Sequence, residues 1–148
     1  MAEILFYHLE TRPLEAVIPL LLEKTLERGW RAVVEVASRE RAEALDAHLW
    51  SWRDDSFLPH GLAGDEYDAD QPILITTGPE NPNGAAVRFY ADGALPQSGE
   101  GYERLVVLFS GHDPDAMAAA RIAYRDLRTD NQVTYWQQDA NGRWVKKA

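Results

Sequence analysis

Apolar residues recur along this chain with two different periods. Glu3–Leu9 is an almost unbroken apolar and aromatic run, with Phe6 and Tyr7 as its bulk, and it predicts a buried, central strand. After Thr11, Arg12 and Pro13, the residues Leu14, Val17, Ile18, Leu21 and Leu22 return at helical spacing up to Gly29, which fits a C-terminal stop. Pro19 interrupts that helix. An interior proline costs about 3 kcal/mol, so the helix either begins near Glu15, leaving Pro19 in the first turn, or is kinked there. Residues 32–37 are short and valine-rich and predict a strand parallel to the first through a helical crossover. Ser38 is placed to cap a helix through Trp50, with Ala42, Leu45 and Leu49 on its inner face.

The stretch from Leu49 to Gly64 is too aromatic for a plain surface loop and too broken for a helix or strand, since Pro59, Gly61 and Gly64 stop any regular element. It predicts a crossing from the first half of the fold to the second. An acidic loop at 65–70 leads to a third strand at 72–77, a turn-rich stretch at 78–84, a fourth strand at 86–90 and another loop at 92–101. Arg104 to Phe109 is the clearest strand of the second half. Asp113 as cap and Pro114 at the first position start a helix over 115–128, and the tail reads as a strand or hairpin turning at Asn141 and Gly142. Alternating strands and helices predict an α/β fold: one domain over 1–148, three-layered, with a mostly parallel twisted sheet and helices on both faces.

Length and composition narrow the function classes. A chain of 148 residues is one domain by size and long enough for a real core. The absence of cysteine excludes disulfide frameworks and thiolate metal sites and suits a reducing compartment. The N-terminus has no basic region followed by a long apolar run, so the expectation is a cytoplasmic protein without a membrane span. Fifteen basic against 24 acidic residues give a formal charge of −9, the wrong sign for holding nucleic acid over a broad surface. The first strand-to-helix turn, from His8 to Glu15, has no glycine and no Gly-Lys-Ser/Thr ending, and its Glu10 and Glu15 would repel a phosphate. The expected fold therefore lacks a phosphate-binding loop, and no cofactor is expected.

Candidate chemistry is sparse. Asp54 and Asp55 with His60, or the group Asp65, Glu66, Asp68 and Asp70, set no coordination geometry and read as solvated acidic loop. His8, His48, His60 and His112 lack paired ligand spacing, and His60 reads as a hydrogen-bonded structural residue. Ser56 has no Gly-x-Ser-x-Gly elbow to expose it as a nucleophile. No metal site and no active site are expected. The last helix is different. At 100° per residue, Ala116, Ala119, Ala120, Ala123 and Leu127 share one side, suited to close packing on a sheet. Arg121, Arg125 and Arg128 fall at i, i+4 and i+7 opposite them, with Tyr124 and Met117 at their edge. An arginine run is commonly a solvated face favoured by the helix dipole. This one is purely basic in an acidic protein, and arginine beside tyrosine suits a site that grips carboxylates and an aromatic ring together.

The segment Ser-Phe-Leu-Pro-His-Gly-Leu-Ala-Gly at 56–64, following a helix that ends in Leu49 and Trp50, resembles the chi subunit of bacterial DNA polymerase III, a clamp-loader accessory family. So do Phe6 and Tyr7 in the first strand, Arg28 to Arg31 before the second, Gln71 to Ile75 in the third, and Ala120, Arg121, Tyr124 and Arg125 in the last helix. The resemblance covers most of the chain and is weakest at 78–101 and after Thr134. It implies a non-catalytic subunit that links the replicase to single-stranded-DNA-binding protein by holding that protein's acidic C-terminal tail, which ends in phenylalanine. Carried over by position, the tail pocket is Phe57, Arg121, Tyr124, Arg125 and Arg128, with Phe57 and Tyr124 on the terminal ring and the arginines on carboxylates. The resemblance also implies a psi subunit as partner and only indirect contact with DNA. Alternatives are a nucleotide-dependent enzyme on the same scaffold and a direct binder of single-stranded DNA.

Overall fold

A computed structural model describes residues 3–52, 58–98 and 101–148. Eight strands form one sheet: β1 (Glu3–Leu9), β2 (Ala32–Glu35), β3 (His60–Leu62), β4 (Ile73–Thr76), β5 (Val87–Tyr90), β6 (Arg104–Ser110), β7 (Gln132–Gln138) and β8 (Trp144–Lys146). Their order is β3-β4-β2-β5-β6-β1-β7-β8, parallel throughout except for β8, which pairs antiparallel with β7. Three α-helices connect them: α1 (Leu14–Glu27), α2 (Arg39–Trp50) and α3 (Pro114–Leu127). The expected α/β architecture is the one observed. One correction concerns residues 49–64, expected to hold no regular element. His60–Leu62 is an edge strand, because a parallel strand only three residues long tolerates glycine at its centre and proline just before it.

Side-chain alternation along the strands sorts the core into two layers. Val34, Ile75, Phe89, Val106 and Leu108 pack beneath α1 and α2, which supply Val17, Ile18, Leu22, Ala42, Leu45 and Leu49. Ile4, Phe6, Leu105, Val107 and Phe109 pack on the other face beneath Ala120 and Leu127 of α3. β1 lies between β6 and β7; α1, which follows β1 toward β2, packs on one face of the sheet, and α3, which joins β6 to β7, packs on the other.

Pro19 sits inside α1, in its second turn, where it is buried. The first-turn alternative is therefore not the one adopted. Having no N–H, Pro19 leaves the Glu15 carbonyl without its intrahelical donor, and His48 Nε2 of α2 lies 2.7 Å from that oxygen and takes the place of the missing donor. A defect in one helix thus becomes the polar contact that fixes its neighbour.

Arg88 was legible only as part of a strand. Its side chain is 2% exposed, pairs with Glu35 at 2.6 Å, and donates to the Glu80 and Gly78 carbonyls and to the Tyr102 hydroxyl. The guanidinium therefore ties the turn-rich segment after β4 to the sheet.

Exchange of the proline donor defect should be measurable. His48→Ala is expected to cost about 1 kcal/mol by chemical denaturation in the natural chain, where it orphans the Glu15 carbonyl. In a Pro19→Ala background, whose residue 19 supplies an N–H, the same substitution is expected to cost markedly less. Equal costs in the two backgrounds would exclude this exchange.

A basic helix beside an uncovered strand face

The last helix is built as its sequence requires. Asp113 accepts hydrogen bonds from the Asp115 and Ala116 N–H groups, and Pro114 opens the first turn. Small residues bring α3 close to β6 and β1, with Ala120 fully buried and Ala116 and Ala123 half-buried against the sheet. Arg121, Arg125 and Arg128 are exposed, as the helical angle predicts. Tyr124 is more deeply set than an edge residue. Its ring meets Phe6 edge-on at 5.7 Å and Tyr135 edge-on at 5.9 Å, and the Arg128 guanidinium lies over it at 5.8 Å. Such edge-on aromatic pairs stabilise by roughly 0.5–1.5 kcal/mol beyond the area they bury. Met117 likewise packs into this layer.

Beyond α3 the sheet continues through β7 and β8. Val133, Tyr135 and Gln137 of β7 point to the α3 side, and Val145 of β8, paired opposite Gln137, shares that face. Val133, Tyr135 and Gln137 are half-buried and Val145 is 40% exposed. The result is a trough whose wall is the arginine stripe with Tyr124 and whose floor is sheet, apolar except for the Gln137 amide. Tyr135 and the rest of this floor were missed in the sequence. The period-2 alternation of 133–137 is visible there, but not the strand order that places it beside α3.

The fifth expected pocket residue, Phe57, lies outside the described residues. Its described neighbours Trp52 and Leu58 pack with the α1/α2 layer, and β3 begins at the sheet edge farthest from β8. Tyr124 belongs to the opposite layer. Among the described residues, the aromatic ring that flanks Tyr124 on the trough side is Tyr135.

A second concavity, a cleft of about 610 Å³, opens at the carboxyl ends of β1, β5 and β6. In open α/β sheets this is where nucleotides bind. Here the N–H groups of Glu10, Thr11 and Arg12 converge at 3.0–3.1 Å on a single acceptor, the Oε1 of Gln138, whose side chain is 4% exposed. Backbone donors that could cradle an anion are thus already satisfied from within. Glu10, Glu15, Asp92 and Asp113 line the cleft against Arg12 and Arg41. Burial pushes the Asp92 carboxyl above its ordinary range, with Arg41 opposing and Glu15 reinforcing the shift.

The histidines have structural partners. His60 is buried with Nδ1 2.6 Å from the Leu58 carbonyl and Nε2 3.2 Å from that of Asp46, and Trp50, itself 58% exposed, leans on its ring at 4.7 Å with the planes tilted by 50°. The Asp68 carboxylate accepts from the Gly64 and Asp65 N–H groups. Among the described residues no group of three acidic or histidine side chains is arranged to hold a metal, and no helix is long and apolar enough to cross a membrane.

A parallel sheet with this strand order and a basic aromatic helix, but with its cradle internally filled, defines an α/β scaffold organised around a surface. Residues 1–134 match the model of the family described as "DNA polymerase III chi subunit, HolC". The chain belongs to that family. It is 32% identical over 87 residues to a probable DNA polymerase III subunit chi of Rickettsia prowazekii, a match covering 59% of this chain and 53% of that protein. It is 36% identical over 58 residues to the DNA polymerase III subunit chi of Pseudomonas aeruginosa, covering 39% of each. The chain thus matches about half the length, or less, of these relatives.

Gln138→Leu preserves bulk while removing the acceptor shared by three N–H groups. It is expected to destabilise the protein by about 2–3 kcal/mol in denaturant titrations and to speed amide exchange selectively at Glu10, Thr11 and Arg12. Unchanged exchange at those three amides would show that Gln138 does not hold the loop.

Proposed function

We propose that this protein is a non-catalytic accessory subunit of the bacterial DNA polymerase III holoenzyme that links the clamp loader to single-stranded-DNA-binding protein during replication. It does so by gripping that protein's acidic C-terminal tail. The observation that carries this reading is the trough beside α3. Three exposed guanidinium groups line its wall, aromatic rings stand at their feet, and half-buried apolar strand residues form its floor. An acidic peptide ending in phenylalanine has the complementary chemistry: carboxylates for the arginines and a ring for the cleft beside Tyr124.

The pocket residues in this proposal are Arg121, Tyr124, Arg125 and Arg128, together with Phe57, whose part in it rests on family resemblance alone. Tyr135 joins them on geometry. The protein's net charge of −9 does not oppose such binding, because exposed charges beyond a Debye length of about 8–10 Å are largely screened while the stripe acts at contact. The same net charge disfavours holding DNA over a broad surface, so contact with DNA would be indirect. A psi subunit or equivalent component would tether the protein to the clamp loader, in the cytoplasm, and neither a cofactor nor a metal is required. The whole chain, 1–148, would act as one domain in this role.

Calorimetric titration with a synthetic tail peptide tests the reading. The intact peptide is expected to bind at moderate salt, to lose binding when its terminal phenylalanine is removed, and to bind the Arg121→Ala/Arg125→Ala variant at least about tenfold more weakly. Failure of the intact peptide to bind would refute the reading. Saturable binding of ATP or GTP, or steeply salt-dependent binding of single-stranded DNA, would then favour the enzyme or the DNA binder respectively.

A further inference from the structure

The far rim of the trough is set by an irregularity in the last strand pair. β8 runs antiparallel to β7, with Trp144, Val145 and Lys146 opposite Gln138, Gln137 and Trp136. Past Lys146 the ladder changes. The N–H groups of Lys147 and Ala148 both donate to the Tyr135 carbonyl, at 2.8 and 3.4 Å, and the Tyr135 N–H donates to the Ala148 carbonyl at 3.1 Å. Two residues thus oppose one, which is a β-bulge. Strand alternation puts Lys146 on the α1 face with Trp136, whose partner on β1 is Tyr7, and Lys147 on the α3 face with Val145 and Tyr135. Tyr135 is itself anchored from behind. Its hydroxyl lies 2.7 Å from His8 Nδ1, and Gly111, which carries no Cβ, leaves room for the His8 ring.

The charges around this rim are not neutralised from within. Lys147 is exposed and, like Arg121 and Arg128, pairs with no carboxylate among the described residues. Glu10, whose carboxylate reaches the same floor, is taken up by the Gln137 amide at 3.4 Å and lies 2.7 Å from His8 Nε2. Acidic residues outnumber basic ones 24 to 15 in this chain, so cations left unpaired on both sides of one trough leave charge for an outside ligand to neutralise. β8 stands two strands from β1, about 10 Å at the usual strand spacing. That leaves room for one extended peptide between Lys147 and α3.

We infer that Lys147 is the second cationic wall of the peptide site, facing the arginine stripe across Tyr135 and taking a carboxylate upstream of the docking peptide's terminal residue. The inference rests on the tail-binding reading and adds a specificity to it. Successive side chains of an extended peptide point to opposite sides. Adjacent carboxylates therefore reach the arginines and Lys147 together, whereas the terminal carboxylate alone reaches one wall. The trough then selects a run of acidic residues rather than an acidic end. The family match ends at residue 134, so this wall lies beyond the matched residues.

Calorimetric titrations with two synthetic tail peptides test it, one intact and one whose upstream acidic residues are replaced by their amides while the terminal phenylalanine is kept. Lys147→Gln is expected to weaken binding of the intact peptide about two- to fivefold at moderate salt, Lys147→Glu about tenfold, and Lys147→Arg to keep wild-type affinity. Against the amide peptide, Lys147→Gln is expected to change nothing. Lys146→Gln, which removes the same charge one residue away on the opposite face, is expected to leave the intact peptide's affinity unchanged. Undiminished affinity in Lys147→Gln overturns the inference. So does an equal loss in Lys146→Gln, which would make net charge rather than position responsible. Both results leave the peptide reading standing. An intact peptide that fails to bind the wild-type protein overturns that reading, and this role with it.

Discussion

The trough follows from covering an eight-stranded sheet with the three α-helices of the described residues. Eight strands at about 4.8 Å spacing are roughly 34 Å wide, whereas one helix with its side chains covers about 10 Å. Two helices share one face and leave a single helix on the other. α3 takes the position over β6 and β1, where the most apolar strands need cover, so β7 and β8 must present their α3-side residues without a helix above them. The trough is thus the unfilled remainder of the fold's own geometry. The arginines line it because they lie on the side of α3 that has no sheet to pack on.

The carboxyl end of the sheet has the layout at which nucleotides bind in open α/β folds. A switch point exists at β1 and β6, and a cluster of backbone donors follows β1. Its acceptor, however, comes from the last long strand of the protein rather than from a ligand. Since Gln138 lies 127 residues from Thr11 in sequence, neither end of the chain can satisfy the loop alone.

Local patterns made most elements readable. The caps Ser38 and Asp113, the inner residues Ala42, Leu45 and Leu49, and the strand Arg104–Ser110 all follow from periodicity or end signals within one element. The arginine stripe was readable for the same reason, since it needs only the helical angle. What escaped depends on partners distant in sequence. Strand β3 exists because β4 offers it an edge, and Arg88 is buried because Glu35, Glu80 and Tyr102 converge on it. The partner of His8, the Tyr135 hydroxyl 2.7 Å from its Nδ1, lies 127 residues away in sequence. Pro19, by contrast, announced a difficulty whose solution, His48, lay in the next helix.

Gly111 gives this arrangement a genetic meaning. Glycines in loops are ordinarily ascribed to backbone angles that other residues avoid, yet Gly111 is not among the residues with positive φ. What it supplies is room, because a Cβ there would lie 2.1 Å from His8 Nε2 and 2.6 Å from Glu10 Oε1. Selection at this codon would therefore act, through His8 and its 2.7 Å contact with the Tyr135 hydroxyl, on a tyrosine two strands away. A drift from glycine to alanine, often the mildest of exchanges, would here be read out at a different surface of the protein from the one where it occurred.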